Sequence, residues 1–280
     1  MSSTLPQHPT VPKGTDIPEP VGKMAYASDD SQLFIQGGSY GSENKISSAF
    51  SLNLTSDWSV EDPAWSRLEL IENFYGQSGV MNLGRFIAFE TGNNQINVSI
   101  YSKHWERLNL SPSFNTPDPV IVSRQDGMVY FLGKKGEALF MDTKNWTFSN
   151  FKSPTFDTFE PTGQSASWSA YKESILIPIF NDTDVDVHMY NTSSHISRPL
   201  NTAKNLKITP RTGYCFVPCN DGKQYYLFGG RNDTAVFDDL YLLDLEENTW
   251  TQLDNSRSSR SMMACAVREK TLVVWGGKST

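Results

Sequence analysis

A β-propeller of about six blades, each of four short antiparallel strands, is the all-β fold class predicted here, and three observations predict it. Gly37-Gly38, Gly229-Gly230 and Gly276-Gly277 each close an apolar run, namely Leu33-Phe34-Ile35, Tyr225-Tyr226-Leu227-Phe228 and Leu272-Val273-Val274-Trp275. The last two pairs lie 47 residues apart, the mark of one supersecondary unit copied along the chain. The 280 residues, 38% apolar and 12% aromatic, are enough to bury one large core, and helical periodicity is nearly absent.

The elements follow in order. Residues 1–20 hold Pro6, Pro9, Pro12, Pro18 and Pro20 and are expected to form a disordered or extended tail, because proline cannot donate to a strand ladder. A propeller over 21–280 follows. Blade one, about 24–68, contains Gly37-Gly38, Phe50-Ser51-Leu52-Asn53 and Trp65. Blade two, about 76–108, keeps Phe86-Ile87-Ala88-Phe89 and Trp105 but has Glu90-Thr91 in place of the glycines. Blade three, about 120–148, has Val129-Tyr130-Phe131-Leu132-Gly133 and then Trp146. Blade four, about 165–200, keeps Ile175-Leu176-Ile177, with Phe180-Asn181 replacing the glycines and no closing Trp.

Blade five, about 211–253, is the cleanest copy. A strand at Tyr214-Val217 turns at Asn220-Asp221-Gly222 into Tyr225-Phe228, a turn chemistry that favours a hairpin. The third strand, Asp239–Leu245, and the fourth, Trp250–Leu253, flank the turn Glu246-Glu247-Asn248. Blade six, about 260–280, is partial: after Gly277 only Lys278-Ser279-Thr280 remain. The chain is therefore expected to be truncated within its last blade, leaving an open ring with an exposed strand edge.

Phe228-Gly229-Gly230, then Asp238-Asp239-Leu240-Tyr241 with Asp244, then Trp250, resemble the kelch repeat. The resemblance implies that the double glycine closes the second strand and that Tyr241, Trp65, Trp105, Trp146 and Trp250 pack between blades. Arg260–Val267 followed by Val274-Trp275-Gly276-Gly277 also resembles the last blade of secreted and membrane-anchored kelch proteins of fungi. Some kelch propellers, galactose oxidase among them, are copper enzymes, and the resemblance would then require a linked Tyr and Cys, a second Tyr and two His at the axis. Of the four His, only His188 and His195 could share a site, and no paired Tyr-Cys arrangement accompanies them. No catalytic residue, metal ligand or cofactor is assigned.

The net charge of -7 disfavours nucleic acid, since no basic stripe exists to neutralise phosphates. No run of 18 apolar residues suits a membrane span. Asp182, Asp184 and Asp186 alternate as cation ligands do, but without the turn glycine and following Glu of a calcium loop they read as a solvated loop. Asp238-Asp239 is expected to cap the turn into the third strand.

Seven of 19 asparagines sit in Asn-x-Ser/Thr, where chance gives about four. Asn53, Asn97, Asn145, Asn181, Asn191 and Asn232 are the stronger acceptors, because Asn109 is followed by Ser111-Pro112. Cys215 and Cys265 fall in corresponding first strands of blades five and six and could bond. Cys215 and Cys219, about 13 Å apart on one strand, could not. Three free thiols packed as small apolar residues also fit the sequence. The expected function is a non-catalytic scaffold, an ectodomain binding protein or glycan through the loops Ser39–Ser47, Thr55–Pro63 and Arg231–Phe237. An intracellular kelch adaptor is the alternative.

Overall fold

The protein is described by a computed structural model over residues 17–40, 44–92, 95–110, 119–134, 137–152, 165–181, 184–203 and 206–279, so most of the expected tail lies outside the described residues. In blade one, β1 (Ala25–Ser28) and β2 (Gln32–Gln36) precede a small hairpin of β3 (Ser39–Tyr40) and β4 (Asn44–Lys45), and β5 (Ala49–Asn53) and β6 (Trp65–Arg67) complete the sheet. Blade two is β7 (Ser78–Asn82), β8 (Arg85–Gly92), β9 (Gln95–Tyr101) and β10 (Trp105–Leu110). Blade three is β11 (Val120–Ser123), β12 (Met128–Leu132), β13 (Glu137–Asp142) and β14 (Thr147–Lys152). Blade four is β15 (Ser167–Ser169), β16 (Ser174–Phe180), β17 (Val185–Asn191) and β18 (Ile196–Leu200). Blade five is β19 (Cys215–Cys219), β20 (Gln224–Phe228), β21 (Leu240–Asp244) and β22 (Thr249–Leu253). Among the described residues blade six holds β23 (Ala264–Arg268) and β24 (Thr271–Trp275) alone.

Every blade is an antiparallel meander, and the double glycines mark where its second strand leaves the ladder. In blades one and five, pairing ends at Gln36↔Ala49 and Phe228↔Leu240, with a loop between. Blade two, which has Glu90-Thr91 there, pairs on through Glu90↔Asn97 and Thr91↔Ile96 to Gly92↔Gln95. Blade four behaves likewise, with Phe180↔Val185 closing a tight hairpin. The fading of the motif thus has a structural consequence: the pairs permit a loop, and their absence extends the sheet.

The ring is closed, contrary to the open propeller expected above. The first strands β1, β7, β11, β15, β19 and β23 contact one another in succession, and β23 also contacts β1. At the seam between blades five and six, the Gly230 amide donates to Arg260 O at 2.8 Å. The seam between six and one repeats that bond, Gly277 N to Val21 O at 2.8 Å, so blade one enters the ring as blade six's successor. Met262 extends the link both ways, donating to Gly213 O (2.7 Å) and accepting from Lys23 N (3.1 Å). Ile17 packs on the same seam and Pro18 is buried, so ordered structure begins before residue 21.

Six apolar clusters fill the six seams, which places the core between blades and explains why one blade cannot fold alone. They differ in size. The seam between blades four and five has thirteen buried members, including Tyr214, Phe216 and Trp250, whereas that between five and six has four: Cys215, Phe228, Met263 and Cys265. In blade six the second strand, β24, is already the outer edge among the described residues, whereas in every other blade the second strand pairs with a third.

Candidate functional site

Strand direction sorts the connections to two ends. In a meander, the first-to-second and third-to-fourth turns share one end, and the double-glycine loops share the other with the blade-to-blade connections. Ser39–Ser47 and Arg231–Phe237 therefore lie at the double-glycine end and Thr55–Pro63 at the turn end, so the three expected loops do not make one surface. Thr55–Pro63 is also engaged: Arg268 of β23 donates to Ser56 O at 3.1 Å and pairs with Asp57 at 2.9 Å. This loop fastens blade one to blade six.

An axial channel of about 1520 Å³ runs between the first strands. Tyr26 of blade one hydrogen-bonds the Ser165 side chain of blade four, the opposite blade, and burial pushes its phenol up to about 12. The two mouths differ in sign. Turn residues Asp29, Asp30, Asp221 and Glu269 line one, with Arg268 and Lys270 among them, whereas Lys23 and Arg231 line the double-glycine mouth, where no carboxylate is in the lining among the described residues.

The repeat aromatics sit at the seams. Trp65 meets Trp275 edge-on at 5.1 Å, and Trp105 contacts Phe86 at 6.0 Å while donating its indole N–H to Glu69 O at 2.8 Å. Trp250 is buried between blades four and five with Tyr241. Trp146 differs: it lies in the turn between β13 and β14 with φ 55°, under the Arg85 guanidinium of blade two at 5.2 Å. Blade four, which lacks a closing Trp, uses Trp168 of its first strand, covered by Arg124 of blade three at 5.5 Å.

Asp239 does not cap a turn. Its carboxylate forms a two-pronged pair with Arg211, whose side chain is fully buried, and accepts the Tyr241 hydroxyl at 2.9 Å. Burial, with the adjacent carboxylate, pushes the Tyr241 phenol up to about 12. The missed signal is Arg211, a charged residue standing just before the apolar first strand of blade five.

His188 and His195 do not converge. His195 is bonded to the Tyr190 hydroxyl at 2.9 Å and stacks on Phe140 of blade three, whereas His188 reaches Ser197 at 3.5 Å and is kept below its ordinary pKa by burial, against the pull of Asp186. Asp184 and Asp186 bond with Asn181, and Asp182 lies outside the described residues. Among the described residues no group of three His, Cys, Asp or Glu is placed to hold a metal.

None of the six sequon asparagines is buried. Asn97, Asn145 and Asn181 spend their Nδ2 on Glu90, Asp142 and Asp186. Asn53, Asn191 and Asn232 instead use Oδ1 to accept from their own turns, and Thr55 and Thr234 donate the sequon hydroxyl to it at 2.8 and 2.9 Å. Cys215 and Cys265 face each other across the seam between blades five and six with Cα atoms 6.4 Å apart, and Cys219 is a buried free thiol.

Five four-stranded blades, a partial sixth and a closed ring with double-glycine seams define a β-propeller. The KLHDC2/KLHL20/DRC7 Kelch-repeats domain matches residues 179–280. No curated protein matches the chain significantly. Among 749 matching chains of solved structure, that of YjhT aligns with a TM-score of 0.70 at 13% identity, covering 95% of this chain and 93% of that one. At that identity the likeness concerns the fold. No helix among the described residues is long and apolar enough to cross a membrane.

Proposed function

We propose that this chain is a non-catalytic recognition scaffold of the cell surface, which holds a protein or glycan partner at the double-glycine end of the ring. The supporting observation is the contrast between ends. Carboxylates prevail at the turn mouth, whereas the loop at Arg231–Phe237 stands beside a channel mouth lined by Lys23 and Arg231. Exposed cations at a mouth favour an anionic group on the partner and speed its encounter. A labelled propeller applied to a glycan array and to cell-surface protein extract is expected to bind acidic members of one set. In the Lys23→Glu/Arg231→Glu variant that binding falls roughly tenfold or more. Unchanged binding by the folded variant removes this end from the proposal.

The surface location rests on the sequons. Passed through a eukaryotic secretory route, the protein is expected to lose mass with N-glycosidase, and the triple change of Asn53, Asn191 and Asn232 to Gln removes most of that loss. A folded, secreted and unglycosylated protein favours the intracellular adaptor instead.

A further inference from the structure

We propose that Cys215 and Cys265 are joined as a disulfide and that this bond is a reducible latch holding the half-blade β23–β24 against blade five. The pair sits where packing is thinnest. The seam it crosses has four buried members, two of them these cysteines, while the other five seams have seven to thirteen. Among the described residues blade six also has no third and fourth strands of the kind that widen every other blade's contact with its neighbours. On the blade-one side it is held by main-chain bonds, by Arg268 and by Trp275 against Trp65. On the blade-five side it also has main-chain bonds, Gly230 N to Arg260 O and Met262 N to Gly213 O, and the Tyr226 hydroxyl donates to Lys270 O, but the buried apolar contribution is the smallest of the six seams, and a covalent bond there supplements it.

Geometry permits the bond. The two first strands adjoin, and Cα atoms 6.4 Å apart lie within the span a disulfide bridges. The third thiol does not compete. Cys219 is buried at the end of the same strand and its thiol is pushed up to about 11 by burial, so little thiolate exists to attack the bond. Both bonded sulfurs are shielded, with Cys215 and Cys265 at 0% and 1% exposure, so a reductant reaches them only when the seam opens. A dithiol then transfers two electrons, forming its own disulfide while Cys215 and Cys265 leave as protonated thiols. The latch thus couples ring closure to redox poise.

The test uses the full chain made in an oxidising compartment. Alkylation under denaturing conditions without reductant is expected to label one cysteine, Cys219, and after reduction three. Dithiothreitol is expected to lower the Tm of the wild type by roughly 5–10 °C and to speed amide exchange first in 261–279 and β19. The Cys215→Ala/Cys265→Ala variant melts like the reduced wild type with or without dithiothreitol. Arg268→Ala, which loosens the other side of blade six, is expected to speed reduction severalfold. Three labels without reductant overturn the bond. An equal melting temperature in both redox states, or exchange gained evenly around the ring, overturns the latch, and the wild-type measurements stand even if the double variant fails to fold.

Discussion

Replacing Asp239 by alanine is expected to cost about 3–5 kcal/mol of unfolding free energy, measured by denaturant titration. The magnitude comes from what is left behind. Arg211 is fully buried and meets Asp239 with both terminal nitrogens, the Nη2–Oδ2 distance being 2.9 Å. Its other contacts, Nε to Thr209 O at 2.9 Å, Nη1 to Gly229 O at 3.1 Å and the Phe237 ring 4.0 Å from Cζ, supply no negative charge. Alanine leaves a desolvated cation beside the double glycine. Asp239→Asn keeps one acceptor and costs less. Removing both charges, as in Arg211→Met/Asp239→Leu, recovers much of the loss, because an apolar pair of similar volume needs no desolvation. A loss below about 1 kcal/mol for Asp239→Ala would mean the pair behaves as a surface bridge.

The fold was legible because propeller strands carry their own punctuation. Gly229-Gly230, the turn at Asn220-Asp221-Gly222 and the alternation of Leu240–Asp244 are local signals, and the structure keeps all three. Ring closure was not legible, because it depends on Val21 accepting from Gly277, a contact between residues at opposite ends of the sequence. The same limit explains the loops. Their lengths can be read from sequence, but which end each occupies follows from strand direction, and the fastening of Thr55–Pro63 from Arg268, more than 200 residues away. Arg211 was hidden for a different reason: a charged residue at a strand entry reads as surface until its partner is shown buried beside it. Trp146 sits in a turn and not on a strand, yet its ring still packs on the seam with the preceding blade, as the other repeat Trp residues do.

Gly276→Ala is expected to destabilise the protein by about 3–4 kcal/mol, the sum of left-handed backbone strain and overpacking. Gly276 has φ +67°, and an added Cβ would fall onto Val21 O and lie 2.7 Å from Met24 Cε. Neither neighbour has room to give, because Val21 O already accepts Gly277 N and Met24 is packed in the seam cluster. Gly84→Ala separates the two terms. Gly84 has φ +70° with nothing within 4 Å of an added Cβ, so only the backbone strain remains, about 1 kcal/mol. Amide exchange then locates the damage: Gly276→Ala is expected to speed exchange at 21–25 and 261–277 before the rest of the ring, while Gly84→Ala leaves that seam protected. Equal losses in the two variants would show that the first glycine of the pair serves only its own backbone angle, and that the close approach of blade one is not what closes the ring.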